Sequence, residues 1–238
     1  MIGLRFVLDP SLVSLPSQPD RPVELWLFRH GATDWARQGR HTGRTDRPLL
    51  PEGEAEARAL APLLAAIPFG AVLTSPLQRA RRTCELAGFG AVAQPCSDLM
   101  EWDYGRWEGI TTAEIRRTIP GWTVWSHGCP DGEDKAMVEQ RCSAVIERAL
   151  ALAAASPEPG PARLALFGHG HLLRSLAGTW LGLGAGGGAL LVLGTGGIGV
   201  LGYEREQRVL LRWNGWPAPA ATMEGRPEPA SGSPLPGQ

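Results

Sequence analysis

The sequence predicts an α/β fold: a three-layer sandwich whose mostly parallel central sheet is flanked by helices on both faces. Two observations carry that expectation. Short apolar strand candidates alternate with helix candidates along the chain, as in a parallel sheet covered on both sides. Two of the strands also end alike, LFRHG at 27–31 and LFGHG at 166–170. If these strands run parallel, both histidines emerge at the rim of the sheet beyond the strands' carboxyl ends, where such sheets bind ligands.

Each element has a local reason. Residues 10–22, PSLVSLPSQPDRP, read as part of a lead-in over 1–22, ahead of a domain spanning 23–214. Val23–Phe28 is nearly continuous in apolar residues apart from Glu24, as a strand buried on both faces should be. Residues 31–52 carry glycines and charges without a period and form a long loop or short helical turns. Glu52–Ala66 is a helix rich in alanine, leucine and glutamate, weakened in its middle by Pro62. Gly70–Thr74 is a second strand, and Ser75-Pro76 opens a helix running to about Ala87.

A middle section, Ser97–Gly132, is rich in tryptophan, glycine and charge, and Glu133–Ala155 reads as a helix. Pro157–Pro161 is a loop, Arg163–Phe167 a third strand, and about Leu172–Leu181 a helix. Ala189–Leu193, Gly197–Tyr203 and Val209–Trp213 read as short strands. Flexible turns between them account for the glycine run GLGAGGGALLVLGTGGIG better than a nucleotide loop does, since GxxxxGK[ST] is missing. The tail, 215–238, is proline, glycine and small residues and is expected to be disordered.

Bulk properties narrow the function. The chain has 238 residues, 43% hydrophobic, enough for one ordinary domain with a real core. A formal charge of -1, with no aromatic interleaving among the arginines, argues against nucleic-acid binding. The four cysteines make no CxxC pair and no metal-ligand spacing, so free thiols are expected, with no metal and no cofactor. No apolar run is long enough to cross a membrane, and no signal peptide is evident; a cytoplasmic location is the expectation. Lysine occurs once, at Lys135, while arginines crowd the first third of the chain, and their planar forks suit phosphate or carboxylate.

Four ordered motifs then carry a resemblance: RHG at 29–31, SPLQRARRT at 75–83, ExxxGxxEG from Glu101 to Gly109, and GHG at 168–170. Over roughly residues 23–205 the chain resembles the histidine phosphatase superfamily, the phosphoglycerate-mutase-like enzymes. The resemblance implies that fold and a covalent mechanism. His30 matches the nucleophile that takes up the phosphoryl group. Arg29, Arg79 and His169 match the residues holding the phosphoryl oxygens, with Gly170 beside them, and Glu101 matches the acid that protonates the leaving oxygen. Thr42 and Gly43, in GRHTGRTDRPL, match the stretch that closes over the phosphate, where Thr42 would donate its hydroxyl.

The chemistry is coherent on its own terms. Phosphoryl transfer needs an in-line nucleophile and donors around three equatorial oxygens, which guanidinium forks and an imidazole N–H supply. The backbone after Gly31 can hold one nitrogen of His30 and leave the other free. Glycines 31, 168 and 170 are expected to let main chain approach the phosphate. Asp98, Asp103 and Glu108 lie near enough to Glu101 in sequence to rival it as proton donor. Arg40, Arg44 and Arg106 are candidates for a second phosphate; Trp102, Tyr104, Trp107 and Trp125 shape the pocket or pack the core. His41 and His127 read as incidental, and Glu133 pairs with an arginine at the pocket mouth.

Two departures bear on the branch. Ala36 follows Trp35 where many mutase-like members have asparagine, and Glu101-Trp102-Asp103-Tyr104-Gly105 stands where the mutases carry ERHYG. TGRTDRPL, EWDYGRWEG and W-x-x-W-x-x-G-C-P-x-G-E look more like the sugar-bisphosphate phosphatase branch. The expected activity is metal-independent hydrolysis of a small phosphorylated metabolite, with a sugar bisphosphate the first choice. The alternatives are a phosphoglycerate mutase or other phosphotransferase, and a non-catalytic phospho-ligand binder. An edge strand of the sheet is a candidate contact for a homodimer.

Overall fold

The computed structural model describes residues 22–155 and 160–215. Most of the lead-in over 1–22, most of the 157–161 loop and all but the first residue of the 215–238 tail therefore lie outside the described residues. β1 (Val23–Arg29) is followed by a turn of helix α1 (Asp34–Arg37), then α2 (Pro51–Leu64), β2 (Ala71–Thr74), α3 (Gln78–Leu86) and β3 (Ala93–Pro95). Short helices α4 (Thr112–Ile115) and α5 (Val124–His127) lead into α6 (Lys135–Ala154), β4 (Ala162–Gly168) and α7 (Gly170–Trp180). β5 (Ile198–Glu204) and β6 (Gln207–Gly215) complete the described chain.

The six strands form one sheet in the order β3-β2-β4-β1-β5-β6. The first four run parallel, and β5 and β6 are antiparallel additions at one edge. The apolar residues of β1 divide by the strand's period of two. Leu25 and Leu27 face a core shared with Val138, Cys142, Leu172 and Leu176 of α6 and α7. Phe28 faces the other way, onto Leu60 and Leu64 of α2 and Cys84 of α3. Across β1 and β4, Phe28 and Phe167 are register partners and stack at 4.6 Å between ring centroids. All four cysteines are free and buried.

Several boundaries differ from the sequence reading, each for a visible reason. Ser75 does not open a helix: its hydroxyl turns toward His169, and α3 starts at Gln78 without a side-chain cap. Pro62 sits in the last turn of α2, where it does least harm, and Pro51 occupies the first turn. Asp134, accepting from the Met137 amide, caps α6, which frees Glu133 for other work. β3 was missed because a three-residue, mostly exposed strand carries no apolar pattern.

Ala189–Leu193 is not a strand. Ala185–Leu190 forms turns of 3-10 helix packed against α7, and the glycines are there because backbone meets backbone. A Cβ on Gly178 would stand 2.5 Å from the Gly184 carbonyl oxygen and 2.8 Å from the Gly188 amide nitrogen. The glycine run is a close-packed buttress for α7, not a set of flexible turns.

Candidate active site

Parallel pairing of β1 with β4 matches Arg29 to Gly168, so the next residues, His30 and His169, leave the sheet side by side. Their ring centroids lie 5.2 Å apart. β2 ends alongside, and Ser75, just beyond it, reaches His169 through its hydroxyl. Three strand ends thus deliver one cluster.

Hydrogen bonds fix where the protons are. A carbonyl can only accept, so Nδ1 of His30 carries a hydrogen and donates to Gly31 O at 2.7 Å. Nε2 of His30 therefore keeps its lone pair. Burial, reinforced by the charges of Arg79 and Arg29, holds the His30 pKa well below 6.5, so the ring is neutral at pH 7. His169 has the opposite tautomer: Nδ1 accepts from Arg79 Nε at 3.1 Å, and Nε2–H donates to Ser75 Oγ at 2.8 Å.

A cavity of about 200 Å³ opens over His30. Arg29 enters it from β1; its Nη1 donates to Leu193 O at 2.5 Å, and its buried Nε has no protein acceptor among the described residues. Gly170 lies against this guanidinium, and a Cβ there would come within 3.2 Å of Arg29 Cζ and Nε. Glu101, 5% exposed, lines the cavity and reaches the start of α7 with its carboxylate, where Oε2 accepts from the His171 amide at 3.0 Å and Oε1 from the Leu172 amide at 2.8 Å. Its rivals are occupied elsewhere. Asp103 pairs with Arg44, Glu108 accepts from the Gly43 and Thr45 amides, and neither they nor Asp98 line the cavity.

The remaining candidates separate into three groups. Thr42, Arg40 and Tyr104 join Arg29, His30, Glu101 and Gly170 in the cavity wall. Arg79 and His169 are fully buried directly behind it. The Arg79 guanidinium is capped by the carbonyls of Thr42, Gly43 and Thr45 at 2.9–3.1 Å, because the 42–45 segment folds across it. Gly43, Arg44, Trp102 and Arg106 stand outside. Arg44 and Arg106 are neutralised by Asp103 and Asp131, and Trp102 is fully buried with its indole N–H on Glu133 O. Gly31 also differs from expectation: the space a Cβ would take is filled by the Gly53 backbone, 2.1 Å away, so that glycine serves helix packing.

Sequence reading missed part of the wall. His41, read as incidental, lines the cavity with His171, Thr112 and Arg174. His41 is 7% exposed, and burial lowers its pKa to about 4. Tyr104 Oη lies 2.5 Å from His171 Nδ1. The three-residue spacing from His171 to Arg174 on α7 was the available signal, once α7 was known to start at Gly170. Beneath Glu101, Arg141 of α6 donates to the carbonyls of Asp98 and Met100 at 2.8 Å and pairs with Glu133.

This arrangement has relatives. Residues 25–215 match the histidine phosphatase superfamily (branch 1). The chain belongs to that superfamily. Within it, the chain is 39% identical over 206 residues to an acid phosphatase of Mycobacterium tuberculosis, covering 84% of this chain and 98% of that one. It is 34% identical over 199 residues to a sedoheptulose 1,7-bisphosphatase of Saccharomyces cerevisiae, covering 71% and 70%. A solved structure of an open reading frame product from Mycobacterium tuberculosis superposes with a TM-score of 0.76 at 34% identity, over 82% of this chain and 98% of that one. The fold is that of the phosphoglycerate-mutase-like histidine phosphatases, and phosphatases stand among the chain's relatives. Among the described residues, no helix is long and apolar enough to cross a membrane.

Proposed function

We propose that this member of the superfamily is a metal-independent phosphomonoesterase working through a phosphohistidine. One observation carries the reading: Nδ1–H of His30 is committed to Gly31 O, which leaves Nε2 with a free lone pair on a ring that lines the cavity, beside Arg29, whose buried Nε has no acceptor among the described residues. In the first step the Nε2 lone pair attacks phosphorus, the P–O ester bond breaks, and Glu101 protonates the departing oxygen. In the second, the Glu101 carboxylate takes a proton from water, the water oxygen bonds to phosphorus, and the P–N bond breaks to release phosphate and free Nε2. Arg29 donates to the equatorial oxygens in both steps, with Thr42 and the α7 amino terminus beside it.

Arg79 and His169 contribute charge and orientation from behind. Direct donation by Arg79 requires the 42–45 segment to give up its carbonyl contacts. For the substrate, the relative named as a sedoheptulose bisphosphatase favours a sugar bisphosphate.

The test is phosphate release from p-nitrophenyl phosphate and sugar bisphosphates in the presence of EDTA, with His30→Ala as control. Activity that survives EDTA and falls at least a thousandfold in His30→Ala is expected, together with acid-labile phosphate on His30 after a rapid quench. A variant as active as wild type would defeat the covalent reading, and activity abolished by EDTA would defeat metal independence.

A further inference from the structure

The segment that covers Arg79 is itself gripped from its other side. Among the described residues, Arg79 has one carboxylate within 4 Å, Asp46 at 3.9 Å, and its two Nη groups spend their hydrogen bonds on the carbonyls of Thr42, Gly43 and Thr45. Two amides of the same segment are held by a carboxylate. Glu108 accepts from the Gly43 amide with both oxygens, at 2.9 and 3.0 Å, and from the Thr45 amide at 3.0 Å. No arginine, lysine or histidine lies within 4 Å of Glu108 among the described residues.

One peptide unit shows what this arrangement does. The Thr42 carbonyl and the Gly43 N–H belong to the same peptide, and no described peptide bond is cis, so the two groups point in opposite directions. The carbonyl meets Arg79 Nη2 at 2.9 Å, and the N–H meets Glu108. A peptide dipole of about 3.5 D therefore lies between a guanidinium and a carboxylate, each at the end it favours. Thr45 repeats the pattern on one residue, with its N–H on Glu108 and its carbonyl on Arg79 at 3.1 Å. The packing leaves no slack: a Cβ on Gly43 would stand 2.4 Å from Trp102 O and 2.8 Å from Glu108 Oε2. Only glycine lets the carboxylate close on the main chain there.

This line of contacts ends at the reacting groups. Arg79 is fully buried, its Nε donates to His169 Nδ1 at 3.1 Å, and the His169 ring stands 5.2 Å from that of His30. Glu108 does not line the cavity, so it can act only through the residues it holds. We infer that Glu108 is a positioning residue for phosphoryl transfer: through the peptides of 42–45 it locks the Arg79 guanidinium in the orientation that serves His169 and sets a positive charge behind the phosphoryl group. This rests on the phosphatase reading and adds to it a residue that never meets the substrate. Hydrogen bonds to an ionised acceptor are about twice as strong as neutral ones, and an amide in place of the carboxylate would also bring N–H donors against N–H donors.

The experiment is a double-mutant cycle on hydrolysis of p-nitrophenyl phosphate, with wild type, Glu108→Gln, Arg79→Ala and the double variant. Circular dichroism and thermal melts establish that each is folded; where Gln fails to fold, Glu108→Asp takes its place in the cycle. In the wild-type background Glu108→Gln should lower kcat by about 10- to 100-fold and move KM by less than about threefold. In the Arg79→Ala background the same substitution should cost less than about threefold, because the group it positions is gone. An equal loss in both backgrounds would overturn the proposal, since Glu108 would then act independently of Arg79. So would a lower Tm with kcat unchanged, the mark of a merely structural role, or a loss confined to KM. If wild type hydrolyses the ester through His30 while any of these results is found, the phosphatase reading stands and the positioning role falls. Wild type inactive toward this ester and toward sugar bisphosphates would remove both.

Discussion

Replacing Glu133 with alanine tests how the fold holds its acid. Glu133 takes two hydrogen bonds from Arg141, Nε to Oε1 and Nη2 to Oε2, both at 2.7 Å, and a third from the Asp103 amide at 2.8 Å. The paired side chains are 9% and 16% exposed. Arg141 in turn grips the carbonyls of Asp98 and Met100 at 2.8 Å, immediately before Glu101. Removing one partner of a buried pair costs about 3–5 kcal/mol because the other charge stays buried. Arg141 keeps its carbonyl contacts and some solvent, so the lower end, about 3 kcal/mol, applies. For a domain of this size that is a fall in Tm of roughly 6–12 °C.

Scanning calorimetry or a circular-dichroism melt reads it. Repeating the melt at 1 M NaCl should leave most of the difference, since buried pairs are poorly screened. Glu133→Gln, which keeps shape and an acceptor, should lose about half as much. Because the clamp steadies the segment carrying Glu101, kcat should fall more than KM changes. A Tm shift under about 2 °C, or one that disappears in salt, would refute the idea that this pair anchors the acid.

Three further expectations concern protons and packing. The pKa of His30 lies well below 6.5 through burial and the Arg79 and Arg29 charges, so its Nε2 stays unprotonated as the medium is acidified. The acid limb of a kcat/KM–pH profile should therefore lie well below pH 6.5, and a limb centred at 6.5 would contradict that electrostatic picture. Stability has its own acid edge. His41 titrates near 4 when folded against 6.5 when unfolded, so the unfolded chain binds more protons between those values. The His41 contribution to folding free energy should drop by roughly 3 kcal/mol as pH falls from above 6.5 to below 4, a share of the acid loss that His41→Gln removes in urea titrations at the two pH values. Gly31→Ala would press a Cβ to 2.1 Å from the Gly53 carbonyl oxygen, and Gly53→Ala one to 2.2 Å from the Ala32 oxygen. Each should cost about 3 kcal/mol or more, seen as an earlier urea midpoint; an unchanged midpoint would show that α2 can shift freely.

The parallel core of the fold was legible because period and composition are local properties. β1, β2 and β4 are apolar runs in the sequence, and the repeated LFRHG and LFGHG endings place two histidines at one rim. Chemistry-bearing residue types in order, Arg29-His30, Arg79, Glu101 and His169, were likewise readable without a structure. What stayed hidden depends on contacts between distant segments. Nothing local says that Ser75 turns to His169 instead of capping a helix, or that the carbonyls of 42–45 cap Arg79. Only packing decided that Arg44 and Arg106 are neutralised outside the cavity while Arg174 faces it unpaired. The sequence by itself determined the central strands β1, β2 and β4 and the groups named in its motifs, since these follow from side-chain type and spacing. The tertiary structure decided which nitrogen of His169 holds its proton and which arginines pair with carboxylates, because both are settled by partners far away along the chain.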